Sequence, residues 1–154
     1  MINTWLISGD IHGSLTRFTA LKDYEPGTAA IIILGDVAFN YTANSQDNYL
    51  KNRANSYKNY IYCVRGNHEM RPEDVPTMEK FWDENVANMV YCEPEYPYIR
   101  YFIDGYCYDI GITFAFPVLN EEEVSDRSTW RSEKNFTPHL LCPMFVGYHR
   151  VLDE

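Results

Sequence analysis

The sequence predicts an α/β fold, a mixed sheet with helices, with a hairpin in its later half. Three observations carry that prediction. Short apolar runs recur at Thr4–Ser8, Ala29–Leu34 and Ile61–Val64. Each run stops at a glycine, namely Gly9, Gly35 or Gly66. The segments between the runs show helical spacing instead of strict alternation. Strand, helix, strand, helix, strand is the order of a layered α/β sheet with right-handed crossovers. A chain of 154 residues is enough for one hydrophobic core and too short for two ordinary domains, so residues 1–154 read as a single domain.

The elements follow in order. Thr4–Ser8 suits a buried strand bounded by glycine. Ser14 is placed to cap a helix carrying Leu15, Phe18 and Leu21 on one face, and Pro26-Gly27 ends that unit. Ala29–Leu34 is apolar throughout and β-branched at its centre, as expected of a parallel strand buried on both faces. Asn44–Tyr60 is polar with weak helical spacing at Tyr49, Leu50 and Tyr57. Ile61–Val64 is a third strand. Pro76 opens an expected helix through about Asn85, and Met89–Cys92 reads as a strand. Tyr98–Ile110 alternates around Asp104-Gly105, a hairpin signal. Ile112–Leu119 is a further strand candidate; beyond it the pattern degrades until Leu140–Val146.

Composition narrows the function. The net charge of −9 argues against the broad basic surface of a non-specific nucleic-acid binder. It leaves room for a phosphorylated substrate, because bound cations reverse the field of an acidic site. Cys63, Cys92, Cys107 and Cys142 form no C-x-x-C pair and read as reduced thiols. The N-terminus has no basic segment followed by an apolar stretch, and no run approaches the ~18 apolar residues of a membrane span. The expectation is a cytoplasmic protein without a membrane partner. The oligomeric state is not legible.

Candidate chemistry lies at the three strand ends. In open α/β sheets, ligands gather outside the carboxyl ends of the strands. Asp10 and His12 are two apart just past the first strand, so in extended geometry both side chains leave on the same side. A carboxylate and an imidazole so placed can share a divalent ion; by themselves they also read as a turn aspartate and a partly exposed histidine. Asp36 follows the second strand, where a carboxylate either bridges two cations or caps a turn. Asn67 and His68 follow the third. An amide oxygen is a hard ligand, though Asn67 also reads as a left-handed turn residue, and the neighbouring imidazole can give a proton to a leaving oxygen. Arg65 is either a phosphate clamp or a surface arginine at the sheet edge.

The set as a whole resembles a known family. Gly9-Asp10-Ile11-His12-Gly13 is similar to the first motif of calcineurin-like metallophosphoesterases, Leu34-Gly35-Asp36 to the second, and Val64-Arg65-Gly66-Asn67-His68-Glu69 to the third. The resemblance covers the first 70 residues well and continues loosely to residue 110, with Glu95-Tyr96-Pro97 similar to small phage and Gram-positive members; residues 111–154 read as a diverged or truncated tail. It implies an α/β/β/α sandwich, incomplete on its C-terminal side. It implies two divalent metal ions, manganese first and iron, zinc or magnesium as alternatives. Asp10 and His12 would ligate one ion, Asp36 would bridge both, and Asn67 would ligate the second. His68 would be the catalytic residue at the leaving group, Arg65 would bind substrate phosphate, and a metal-activated hydroxide would attack phosphorus.

Two departures qualify what is implied. Phosphatases with an Arg65-type third motif usually read Gly-Asp-x-x-Asp-Arg-Gly at the second; here Gly35-Asp36-Val37-Ala38-Phe39-Asn40-Tyr41 lacks the second aspartate and its arginine. Glu69 is a substitute candidate for orienting His68. The family also supplies a later Gly-His-x-His motif, whereas His139 and His149 stand in no such motif and read as surface or packing histidines. The expected consequence is weak metal affinity and low or absent turnover. The alternative function is a non-catalytic remnant that binds a phosphorylated ligand or a protein.

Overall fold

The computed structural model describes residues 2–110 and, for the backbone, 113–115. Strand β1 (Thr4–Gly9) is followed by a 3₁₀ helix (Leu15–Asp23), strand β2 (Ala29–Leu34), helix α1 (Ser45–Asn55) and strand β3 (Tyr60–Val64). A short 3₁₀ turn (Pro72–Asp74) leads to β4 (Glu79–Asp83), β5 (Asn88–Cys92) and β6 (Ile99–Phe102). Strands β7 (Cys107–Asp109) and β8 (Thr113–Ala115) form a separate antiparallel pair. The result is a mixed α/β fold with a six-stranded sheet in the order β1-β2-β3-β6-β5-β4. Strands β1, β2, β3 and β6 run parallel, while β5 is antiparallel to both β6 and β4. Among the described residues no helix is long and apolar enough to cross a membrane.

The first three strands form because their side chains are apolar on both faces. Along β2, Ile31 and Ile33 enter the core beneath the helices, while Ala30, Ile32 and Leu34 enter the core on the opposite face. All six residues of β2 are buried, as the continuous apolar run requires. Leu15, Phe18 and Leu21 recur every third residue. A 3₁₀ helix has three residues per turn and places them in one file, which is how Phe18 and Leu21 become fully buried. Ser14 stands at the N-cap of this helix, but its side chain makes no capping bond. Helix α1 is capped instead by Asn44, whose Oδ1 accepts from the amides of Gln46 and Asp47 at 2.8 and 3.1 Å. Leu50 and Ala54 face the core, and Tyr49 is exposed.

Two expectations fail. The helix expected from Pro76 to Asn85 is strand β4, with Phe81 opposite Val90 and Trp82 opposite Met89. Pairing with β5 overrides local propensity, and alternation buries Asp83 while leaving Trp82 exposed. Tyr98–Ile110 does turn at Asp104-Gly105, where the Tyr106 amide donates to the Ile103 carbonyl at 3.2 Å. Its arms do not pair with each other. Gly105 has φ +80° while Asp104 is not in the left-handed region, whereas a tight Asp-Gly hairpin needs positive φ at both central residues. Both edges of β6 are already occupied by β3 and β5, so β7 pairs with β8. Of the Ile112–Leu119 candidate, Thr113–Ala115 is a strand; Leu140–Val146, His139 and His149 lie outside the described residues.

Candidate metal centre

The parallel order of β1, β2 and β3 puts their carboxyl ends side by side, and backbone bonds fasten the loops beyond them. The amides of His12 and Gly13 donate to the carbonyls of Asp36 and Val37 at 2.8 and 3.2 Å. The Gly35 amide donates to the Val64 carbonyl at 3.2 Å, and the His68 amide donates to the Asp36 carboxylate at 3.0 Å. Asp36 is therefore the hub of all three loops, and it is buried. Gly66 makes this possible by steric means. A Cβ there would overlap the carboxylate and backbone nitrogen of Asp36.

Asp10, His12 and Asp36 each offer a ligand atom, and these atoms lie within 4.8 Å of one another. Metal–ligand bonds of about 2.0–2.2 Å put two ligands of one ion no more than roughly 4.4 Å apart, so a small closure suffices. His12 Nε2 sits 2.9 and 3.0 Å from the two carboxylate oxygens of Asp10. Among the described residues no lysine or arginine pairs with Asp10 or Asp36. Hard oxygen and nitrogen donors around clustered carboxylates fit a divalent cation. His12 itself has φ 42° and Ala38 has φ 70°, left-handed conformations that ordinary side chains rarely adopt. Such strain persists only where surrounding bonds enforce it, and it concentrates at functional sites.

Glu69 supplies part of that enforcement. It does not orient His68. Its Oε1 accepts from the amides of Ala38 and Phe39 at 3.1 and 3.3 Å and from the Tyr101 hydroxyl at 3.0 Å, and its Oε2 accepts from the Gly66 amide at 3.3 Å. Burial pushes its carboxyl up to about 7, and the bonds from Gly66, Tyr101 and Phe39 oppose the rise. Glu69 thus ties the second loop to the third from beneath.

The remaining predicted residues occupy the same edge. Asn67 is exposed, between Gly66 against Asp36 and His68 bonded to Asp36. His68 is exposed too, its ring 6.0 Å from that of His12. Arg65 lies 3.6 Å from the Asp104 carboxylate and donates to the Gly66 carbonyl at 3.4 Å. Sequence reading missed Tyr41, whose hydroxyl lies 2.8 Å from His12 Nδ1. Burial and then the carboxylates of Asp36, Glu69, Asp10 and Asp47 push its phenol up. One tyrosine among 13, in a loop without periodicity, carries no local signal.

The model of the calcineurin-like phosphoesterase family matches residues 4–144. The chain belongs to the calcineurin-like phosphoesterase family. The match runs through all three strand-end motifs and beyond residue 110. No curated protein and no solved structure gives a significant match. Members of this phosphoesterase family bind divalent metals, and the Asp10–His12–Asp36 group is this chain's candidate ligand set.

Proposed function

We propose that this protein is a metal-dependent phosphoesterase that hydrolyses a phosphate ester in the cytoplasm. The observation that carries the reading is the convergence of three strand-end loops on Asp36, fixed by the His68 amide and the steric demand at Gly66. Asp10 and His12 would hold one divalent cation, Asp36 would contact two, and Asn67 would complete the second. Mn²⁺ is the first choice, with iron, zinc or magnesium as alternatives, because the donors are mainly hard oxygens with one imidazole nitrogen and no thiolate. Cations bound there would supply Lewis-acid polarisation of the ester and a water acidic enough to serve as nucleophile near neutral pH.

The chain's own residues do the rest. Asp36, buried and bonded by the His68 amide, would stand between the two ligand sets. His68, exposed at the rim beside His12, would give a proton to the departing oxygen. Arg65 is held by Asp104 at the edge of the site and binds phosphate by sharing its guanidinium with that carboxylate. These loops alone would give each ion two or three protein ligands, and the expectation on that count is weak cation binding with low or absent turnover.

The test is hydrolysis of p-nitrophenyl phosphate with added Mn²⁺, with and without chelator, by wild type and Asp36→Asn. The expected result is slow hydrolysis that Mn²⁺ supports, chelator abolishes, and Asp36→Asn lowers at least a hundredfold. Wild-type protein that neither hydrolyses phosphate esters nor takes up Mn²⁺ refutes the proposal.

A further inference from the structure

We infer that Tyr41 is a positioning residue of this centre, its hydroxyl holding the His12 ring in place in both the metal-free and the metal-bound state. The inference rests on reading Asp10, His12 and Asp36 as metal ligands. It starts from a chain of contacts: Tyr41 hydroxyl to His12 Nδ1 at 2.8 Å, and His12 Nε2 to the Asp10 carboxylate at 2.9 Å.

A neutral imidazole carries one ring proton. In the tautomer that carries it on Nε2, that nitrogen donates to Asp10 and Nδ1 accepts from the Tyr41 hydroxyl. Ligation through Nε2 needs that nitrogen's lone pair. The Nε2 proton then leaves to solvent, one from solvent takes Nδ1, and Nδ1–H donates to the Tyr41 oxygen. A hydroxyl serves in both states because it donates and accepts, whereas a carboxylate or carbonyl only accepts. The ring keeps its place and its partner while the proton changes sides. Metal-ligating histidines generally need such a partner on the second nitrogen.

Tyr41 is itself fixed from both sides. The preceding Asn40 accepts from the Met70 amide at 2.8 Å through its carbonyl and from Lys51 Nζ at 3.2 Å through its side chain. The following Thr42 donates its amide to the Asp47 carboxylate at 2.8 Å. The Tyr41 ring also packs at 6.2 Å from the His68 ring and 6.4 Å from the His12 ring, so three rings close a triangle at the rim.

The test is ¹⁵N spectroscopy of the histidine rings, with and without Zn²⁺, and titration of Mn²⁺ read from the signal of the free ion. Wild type and Tyr41→Phe are compared, the phenylalanine keeping the ring contacts. In metal-free wild type, His12 is expected to show Nε2–H with a hydrogen-bonded Nδ1, and to switch to Nδ1–H with Zn²⁺. In Tyr41→Phe the Nδ1 resonance loses its hydrogen-bonded shift. Mn²⁺ affinity falls about tenfold, the low end for such partners, because half-exposed His12 lets water take part of the role. Unchanged His12 shifts and Mn²⁺ affinity in Tyr41→Phe overturn the inference while leaving the phosphoesterase proposal standing. A metal-free wild type whose His12 Nδ1 is not hydrogen-bonded overturns it whatever the variant's stability. Wild type that takes up no Mn²⁺ overturns both.

Discussion

Adding one methyl group at Gly66 is expected to disable the site more than it destabilises the fold. Gly66 is not among the residues with positive φ, so alanine incurs no left-handed strain there. The obstacle is Asp36. A new Cβ would meet its carboxylate, its Cγ and its backbone nitrogen well inside the 3.0 Å that real Cβ contacts respect. Because one of those atoms is backbone, a side-chain rotation cannot relieve the clash, and the two loops must separate. Overpacking of this kind costs about 1–3 kcal/mol, and a backbone obstacle argues for the upper half of that range. For a chain of this size that lowers Tm by roughly 4–12 °C. The functional loss is larger, because a displacement of about 1 Å in a catalytic array costs on the order of a hundredfold in rate. Gly27→Ala is the control. Gly27 has φ +76° with open space around its Cβ position and precedes β2 at the end away from Asp36, so alanine costs about 1–2 kcal/mol of backbone strain without touching the site. Melting curves, Mn²⁺ titration and phosphate-ester hydrolysis on both variants separate the two effects. Gly66→Ala with wild-type Mn²⁺ affinity and turnover would refute the steric role of Gly66.

Three further outcomes are expected. Asn59, fully buried, accepts from the Ala29 amide at 3.1 Å and donates to the Leu21 and Tyr24 carbonyls at 3.0 and 3.3 Å, at the strand ends opposite the site. Asn59→Ala should cost about 1–3 kcal/mol in urea unfolding and leave activity per folded molecule unchanged; a loss of Mn²⁺ binding in the folded variant would contradict that separation. Lys51 and Glu93 form a buried pair at 2.6 Å, with Thr77 also on Glu93. Lys51→Met should destabilise by about 3–5 kcal/mol and Lys51→Met/Glu93→Met should recover part of it, so a double-mutant cycle with no coupling argues against the pair. Cys107 is exposed, whereas burial pushes the thiols of Cys63 and Cys92 up. Peptide mapping after native labelling with a disulfide reagent should find Cys107 modified and the other two protected until unfolding; rapid native labelling of Cys63 would show that the sheet core opens readily.

The local signals legible in the sequence were strong where one element alone sets the pattern. Ala29–Leu34 is apolar on every position, so only a strand buried on both faces accommodates it, and it is one. The stretch from Pro76 to Asn85 was misread because its short apolar content does not separate strand from helix; its cross-strand partners on β5 decide. At Asp104-Gly105 the turn was legible and the pairing was not, since pairing depends on which strand edges other segments have already filled.

The sequence by itself determined the family and the three strand-end motifs, and it offered Asp10, His12, Asp36 and Asn67 as candidate ligands. Those depend on residue identity next to a glycine-ended apolar run, which is local information. Tertiary structure alone decided that Asp36 is the hub, that Gly66 is required by volume, that Glu69 braces the loops instead of orienting His68, and that Tyr41 meets His12. Each of those contacts joins residues about 30 positions apart, from His12–Tyr41 with 29 to Asp36–His68 with 32. Local propensity carries no record of such pairs; they arise only when parallel strands bring their carboxyl ends together.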